Sequence, residues 1–413
     1  MIGSEILLRY KSSYKSANRV PLSLPQVHQL ERNSSSNDAS TVLQADHDCS
    51  FALATVLLYS LCTIFAAHVK TIAIVIPSLH RPDLTARCIE SVQRQTLPAE
   101  LWKIVVVENQ AMPGSILADP LPRNTMRIEL PANEGTTNSI NRGMAAVPSP
   151  YVLLLNNDVE LQANYLEKLL STLEADESLG FATGKLLRAA DHAVLDGAGD
   201  AMTLGGGCYR LGHLAADMEQ YDRPMPLLSA CGAAVLYRSK AFLLSGALDA
   251  DFFAYLDDLD LALRVHLIGY RGAYVPDATA YHIGSATLGR AMHPKVVEYI
   301  TRNQFFVLTK DYPVPVFRRL LVRILLHQLL WFGFAVKNSG LGPYLRGLRG
   351  ATRGRKRMQQ KHRDLMAKRV IDDERLFALM GMSERQVFQW QQALPPERRS
   401  SLLTTYFRFF PPQ

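Results

Sequence analysis

From Thr71 onward the chain alternates between unbroken apolar runs and segments with apolar residues at helical spacing. "TIAIVIP" (71–77), "WKIVVVEN" (102–109) and "YVLLL" (151–155) are apolar at consecutive positions, the pattern of strands covered on both faces. "MRIEL" (126–130) predicts a further short strand. Between them, "DLTARCIESVQRQ" (83–95) sets Leu84, Cys88, Ile89 and Val92 on one helical face, and "NYLEKLLSTLEAD" (164–176) does the same with Leu166, Leu169, Leu170 and Leu173. "TTNSINRGMAAV" (136–147) can also be helical. Strands alternating with helices predict an α/β fold with a mostly parallel sheet and helices on both faces. Ligands of such a sheet bind beyond the carboxyl ends of its strands.

The rest of the chain breaks this rhythm. Residues 190–310 are glycine-punctuated ("DGAGDAMTLGGG"), then strand-like ("LLSACGAAVLYR", 227–238), then acidic and helical ("FFAYLDDLDLALRVHLIGYR", 252–271). "AYVPDATAYHIGSAT" (273–287) reads as two short extended pieces. "VFRRLLVRILLHQLLWFGFAV" (316–336) places Arg318, Arg319, Arg323 and His327 among large apolar residues and Trp331, which predicts an interfacial helix. Residues 370–413 predict small helices. At the other end, polar residues 1–50 predict poor order. The uncharged "FALATVLLYSLCTIFAA" (51–67) sits at the lower limit of a membrane span and makes 51–69 a possible membrane helix. Asp46, His47 and Asp48 stand where a signal peptide needs positive charge.

Composition narrows this picture. The 413 residues, 48% hydrophobic and 20% charged, suffice for one large α/β unit with extensions. The net charge of +7 admits nucleic acid, an anionic membrane face or anionic substrates. Its location decides, because basic residues gather between Arg346 and Arg369, behind an apolar helix. They are not interleaved with aromatics on a folded platform, so the charge points to an anionic membrane surface and not to nucleic acid. Five cysteines with no CxxC pair predict unpaired, semi-buried thiols in a reducing compartment.

Candidate chemistry lies at the strand ends. The run "YVLLLNNDVEL" drives a buried strand straight into Asn156, Asn157 and Asp158, and "PSLHRPD" and "ENQ" end two other strands on the same edge. Oxygen donors of this kind suit Mg²⁺ or Mn²⁺. A second group, "YLDDLDLALR", packs Asp257, Asp258 and Asp260 into four positions. Helix capping, with Asp260 paired to Arg264 at i+4, explains it one way. Mutual repulsion that raises a pKa toward the range of a general base explains it another. Leu256, Leu259, Leu263 and Leu267 form the stripe that would bury this helix.

These residues carry a resemblance. Segment 71–310 resembles a family 2 glycosyltransferase of GT-A fold and is most similar to the rhamnosyltransferase-like branch. The matching motifs run in order: "IVIPSLHRPDLTARCIESVQRQT", "IVVVEN", "NEGTTNSINRG", "LLLNNDVEL", "ACGAAVLYR", "FFAYLDDLDLALRVHLIGYR", "VPDATAYHIGSAT" and "ITRNQFFVLTKDYP". The resemblance implies inverting transfer from a nucleotide-diphosphate sugar, with L-rhamnose the best guess, to a glycan or lipid-linked acceptor. By position, it gives the metal to Asp158 with Asn156 and His282, and the base role to Asp258 with Asp257 beside it. Pro77, Arg81, Glu108, Asn133, Gly135 and Asn157 would serve the nucleotide sugar. The chain departs from common family patterns at Glu108, Asp257, Thr136 and Asn156, where relatives often have Asp, Glu, an aromatic and an acid. The expected plan is an extension (1–50), the apolar segment (51–69), a GT-A domain (70–312) and a basic, helical, membrane-associated region (313–413). The expected location is the cytoplasmic face of the cell membrane. A nucleotidyltransferase is the competing enzyme class, but it needs a glycine-rich phosphate loop after the first strand, and "PSLHRPDL" has none.

Overall fold

The apolar runs fold as strands because each is flanked on both sides. In the computed structural model, which describes residues 71–284 and 293–412, β1 (Ile72–Ser78) lies between β2 (Trp102–Glu108) and β4 (Tyr151–Leu155), all parallel. β3 (Thr125–Glu129) closes this edge against β2. Alternate residues of β1 serve opposite layers: Ile72, Ile74 and Ile76 face one core, Ala73 and Val75 the other. The readings of 1–50 and 51–69 fall outside the described residues, as does the end of the 273–287 segment.

The first core is covered by α1 (Pro82–Gln93) and α3 (Tyr165–Ala175), the second by α2 (Gly135–Ala146). Pro82 begins α1 at the position where its missing N–H costs nothing. The glycine-punctuated half supplies further strands: β5 (Val159–Leu161), β6 (Leu179–Arg188), β7 (Asp191–Gly197), the hairpin of β8 (Asp200–Met202) and β9 (Cys208–Arg210), β10 (Met225–Leu227), β11 (Ala234–Arg238) and β12 (Arg271–His282). The main sheet runs β10-β12-β6-β11-β4-β1-β2-β3. β11 and β10 oppose their neighbours, so the other six strands on this path all point one way. Their carboxyl ends make one edge, as the alternation of strands and helices predicts.

β12 corrects the expectation of two short pieces. It is one strand of 12 residues whose register with β6 breaks between Val275 and Thr279. Pro276 lies in that break, and its missing N–H interrupts the ladder.

Helices α4 (Ser239–Leu244) and α5 (Asp257–Leu267) follow β11. Leu259, Leu263 and Leu267 are buried, as the stripe predicts. Beyond β12 come α6 (Pro294–Lys310), α7 (Val314–Ser339), α8 (Leu341–Lys368), α9 (Asp373–Ala393) and α10 (Ser401–Phe409). The arginine-rich tract is therefore a helix of 28 residues, and α9, at 21 residues, is longer than the small helices expected. α8 packs closely on α6 through Gly347 and Gly354: a Cβ at Gly347 would stand 2.7 Å from the Glu298 carbonyl. Cys88, Cys208 and Cys231 are free thiols, as expected.

Candidate active site

Asn156, Asn157 and Asp158 form the turn between β4 and β5. The Asn156 N–H bonds to the Ala233 carbonyl at 2.8 Å, and its own carbonyl accepts the Cys88 thiol. Asn157 Nδ2 donates to Thr85 Oγ1 (3.2 Å), which donates to Ser78 Oγ (3.0 Å). One amide thus ties the ends of β4 and β1 to the first turn of α1. Asp158 is 8% exposed, and its Oδ1 stands 3.4 Å from His282 Nε2. Strand register sets this contact, since β12 pairs His282 with Val159, one residue beyond Asp158.

His282 is held from both sides. Its Nδ1 lies 2.7 Å from Asp196 Oδ2, and Asp196 also accepts Arg210 Nη1 at 2.7 Å. Burial alone would lower the imidazole pKa, but the two carboxylates outweigh it and push it up to about 9. Burial likewise works against Asp158, and the His282 hydrogen bond overcomes it to hold that carboxyl below its usual range. The donors fit a hard divalent ion: one carboxylate, one imidazole and neighbouring amide oxygens, with no thiolate among them. A cation there would displace the proton on Nε2.

The second carboxylate group begins α5. Asp258 Oδ1 accepts Leu259 N–H at 2.8 Å and its Oδ2 accepts Gly232 N–H at 3.2 Å. Both acids are half-buried. Desolvation raises Asp257, helped by the charge of Asp258, and it raises Asp258 against the two N–H groups and Arg210. Asp260 is different. It is fully buried and paired with Arg264 at 2.6 Å and with Lys310, so this acid belongs to the scaffold.

The backbone leading into Asp257 is strained. Phe253, Tyr255 and Leu256 all have positive φ, between 59° and 68°, which costs bulky side chains energy. Asn303 of α6 holds them there. Its Nδ2 lies 3.1, 2.9 and 2.7 Å from the carbonyls of Phe252, Ala254 and Tyr255. Gly135 presses from the other side at φ +83°, where a Cβ would stand 2.5 Å from the Phe253 carbonyl. The amide has two protons to share among these three carbonyls, so Asn303→Ala is expected to remove about 2 kcal/mol, lowering the melting temperature and slowing turnover together. A variant with unchanged turnover would show that the strained loop needs no such clamp.

The other expected nucleotide residues are placed as follows. Pro77 sits near the end of β1, past the stretch paired with β4, so its missing N–H breaks no bond to that strand. Arg81 precedes α1 and pairs with Asp83 at 2.8 Å, which chiefly holds its charge, with a smaller effect from Asp158. Glu108 ends β2 at 1% exposure and accepts the Leu117 N–H at 2.9 Å, so its carboxylate is engaged by a loop. Asn133 accepts from Gly135 N–H (3.0 Å) and from Asn109 Nδ2 (2.9 Å). Asn109, unremarked in the sequence, thereby joins the β2 end to the turn before α2.

Sequence reasoning also passed over the residues lying between the two acidic groups. Asp196 and Asp200, from "DGAGD", and Arg210 occupy that space. Arg210 bonds Asp196, donates to Cys231 Sγ and stands 3.6 Å from Asp200 Oδ1. Donor atoms of Asp200, Cys231 and Asp258 lie within 4.8 Å of one another. The Arg210 guanidinium already supplies positive charge to that cluster. Two acids four positions apart in a glycine-rich stretch, followed by an arginine, were the available signal.

Residues 73–185 match the family model described as glycosyl transferase family 2. This segment is similar to the domains of that family. Over 183 residues the chain is 28% identical to the N-acetylglucosaminyl-diphospho-decaprenol L-rhamnosyltransferase of Mycobacterium tuberculosis, found in two strains. The match covers 38% of this chain and 59% of that enzyme, so the chain spans under two thirds of the relative's length. Among solved structures, the chain is similar to GalNAc-T7 with UDP, GalNAc and Mn2+ (12% identity, TM-score 0.49, 70% of this chain and 57% of that one). It is also similar to the Pyrobaculum calidifontis mannosyltransferase PcManGT in complex with GDP-Man and Mn2+ (14% identity, TM-score 0.44, 78% and 95%).

Proposed function

We propose that this protein is an inverting glycosyltransferase that moves a sugar from a nucleotide-diphosphate donor to a hydroxyl of a glycan or lipid-linked acceptor at the cytoplasmic face of a membrane. The observation that carries the reading is the closeness of the Asp158–His282 pair to the half-buried Asp258 carboxylate. His282 is joined through Asp196 and Arg210 to Cys231, whose thiol lies within 4.8 Å of Asp258, in a unit whose residues 73–185 match the glycosyl transferase family 2 model. L-rhamnose is the preferred sugar, on the likeness to an L-rhamnosyltransferase.

In this reading Asp258 accepts the proton of the acceptor hydroxyl as its oxygen attacks the anomeric carbon from the face opposite the diphosphate. The two backbone N–H groups on Asp258 fix the direction of its oxygens. Burial raises its pKa and so makes it a better base than an exposed aspartate. Asp158 and His282, with Asn156 beside them, would hold Mg²⁺ or Mn²⁺. When bound, such an ion neutralises charge on a departing diphosphate. Arg81, Glu108, Asn133, Gly135, Asn157 and Pro77 line the strand ends where the nucleotide would sit.

Chelation should abolish transfer, and Mn²⁺ or Mg²⁺ should restore it. Asp158→Asn should raise the cation concentration needed by at least about tenfold. Full turnover in the presence of a chelator would remove the metal from the reading. A screen of nucleotide sugars that follows nucleotide release tests the donor: no release from deoxythymidine-diphosphate rhamnose would remove the preferred sugar, and no release from any nucleotide-diphosphate sugar would count against the whole proposal.

A further inference from the structure

Helix α7 carries two apolar stripes, and one of them is covered. Val316, Leu320, Ile324, His327, Trp331 and Ala335 are buried against the rest of the unit. The other face steps by three and four residues through Arg318, Leu321, Leu325, Leu329 and Phe332, and all five are exposed, Leu325 and Leu329 at 60% and 65%. The start of α8 extends this surface. Leu341 and Leu345 are exposed, and Phe332 packs edge-on against Tyr344 with ring centroids 5.0 Å apart.

By length and composition α7 could cross a membrane. Its covered face is already committed. Trp331 Nε1 donates to Thr301 Oγ1 at 3.0 Å, and Arg323 pairs with Glu384 at 2.9 Å. His327 fits against Gly205 and Gly207, in the turn between β8 and β9. A spanning orientation would strip all of these into lipid, where broken polar contacts are costly.

The charge beside the stripe identifies what fits it. Arg349, Lys356 and Arg363 follow Leu345 by 4, 11 and 18 residues, share its helical face and are exposed. Residues 341–369 carry ten basic side chains and one acid, Asp364. A lipid surface with anionic headgroups complements both parts, the apolar stripe and the cationic face that continues it. We propose that α7 lies in the plane of an anionic membrane, with Leu321, Leu325, Leu329 and Phe332 at the acyl boundary and the basic face of α8 at the headgroups. This deepens the membrane part of the proposed function and is independent of the transfer chemistry.

The test uses the full chain and two kinds of vesicle, phosphatidylcholine alone or with about one third phosphatidylglycerol. Co-sedimentation is expected with the anionic vesicles only and should weaken as salt rises. Leu325→Glu with Leu329→Glu should lower binding at least about tenfold. Both sites are exposed, so the melting temperature should hold. Reversal of charge at Lys356 and Arg363 is a second variant and should weaken binding without touching the stripe. Wild-type binding by the Leu325/Leu329 variant would overturn the proposal and leave another segment, such as 51–67, as the contact. A concentration-dependent dimer that this variant makes monomeric would also overturn it, assigning the stripe to a second copy. Turnover on a soluble acceptor separates the two readings. If vesicles bind but no sugar is transferred, the docking surface stands and the transferase reading falls. If sugar is transferred and the variant still binds vesicles, only the docking surface falls.

Discussion

Replacing Asp258 by asparagine is expected to cut sugar transfer by about 100- to 10,000-fold and leave nucleotide binding and the fold in place. The carboxylate is the proposed proton acceptor, and asparagine has no basic lone pair to replace it. Two effects on stability oppose each other. Asparagine keeps one acceptor oxygen, so either the Gly232 or the Leu259 N–H loses its partner, a cost of about 1–3 kcal/mol. Against this, the substitution removes a charge that desolvation disfavours and that pushes Asp257 up. A carboxyl whose folded pKa is raised costs stability above its unfolded pKa, and the cost stops growing once pH passes the folded value. The wild type is therefore expected to gain stability between pH 8 and pH 6 from this pair, and Asp258→Asn to gain less. Near-normal turnover in the variant would move the base role to Asp257 or away from this helix. A collapsed melting temperature would show the residue to be structural.

The fold was legible where one period governs. Consecutive apolar residues in β1, β2 and β4 and helical spacing in α1 and α3 report burial directly, because each element is long enough for its pattern to repeat. From Asp191 to Leu227 the strands have three to seven residues and owe their positions to partners far along the chain. The 202–205 backbone shows why no local reading could place it. The N–H groups of Met202, Leu204 and Gly205 bond to Ser383 Oγ, Glu384 Oε1 and Tyr406 OH, about 180 to 200 residues away. Among the candidate site residues, Asp158 and Asp258 stood out because they interrupt apolar patterns. Asn303 lay in a quoted motif with no role attached, and only the left-handed turn it grips supplies one. The Asp260–Arg264 pair is the reverse case: helical spacing alone announced it, and the buried ion pair is present.

The C-terminal helices also bear on the site. Glu384 accepts the Leu204 N–H, pairs with Arg323 of α7 and accepts the Tyr406 hydroxyl. The hairpin that carries Asp200 and Arg210 is thus held by α7, α9 and α10, so the scaffold of the candidate site is built partly from helices well outside the segment that matches the family model.

Arg210→Met should be the most damaging substitution outside the proposed catalytic groups. The guanidinium serves Asp196, Cys231 and Asp200 at once, and removing one partner from a buried charge network costs about 3–5 kcal/mol. Two carboxylates then respond differently. In the wild type Asp196 is held far below its usual range despite burial, by His282 and Arg210, so it contributes stability at neutral pH that shrinks in the variant. Asp200 is already pushed up to about 7, by burial first, with Arg210 working against the rise. Without Arg210 it rises further, and the added penalty appears only where the wild-type group would have ionised. The loss in melting temperature should therefore be larger at pH 8 than at pH 6. Turnover should fall about 10- to 100-fold, as for loss of an outer partner of a metal-site ligand, because His282 loses the charge that anchors Asp196. Arg210→Lys restores a charge without the planar fork and should recover stability more than turnover. Equal losses at the two pH values would remove Asp200 from this account, and wild-type stability in Arg210→Met would remove the network.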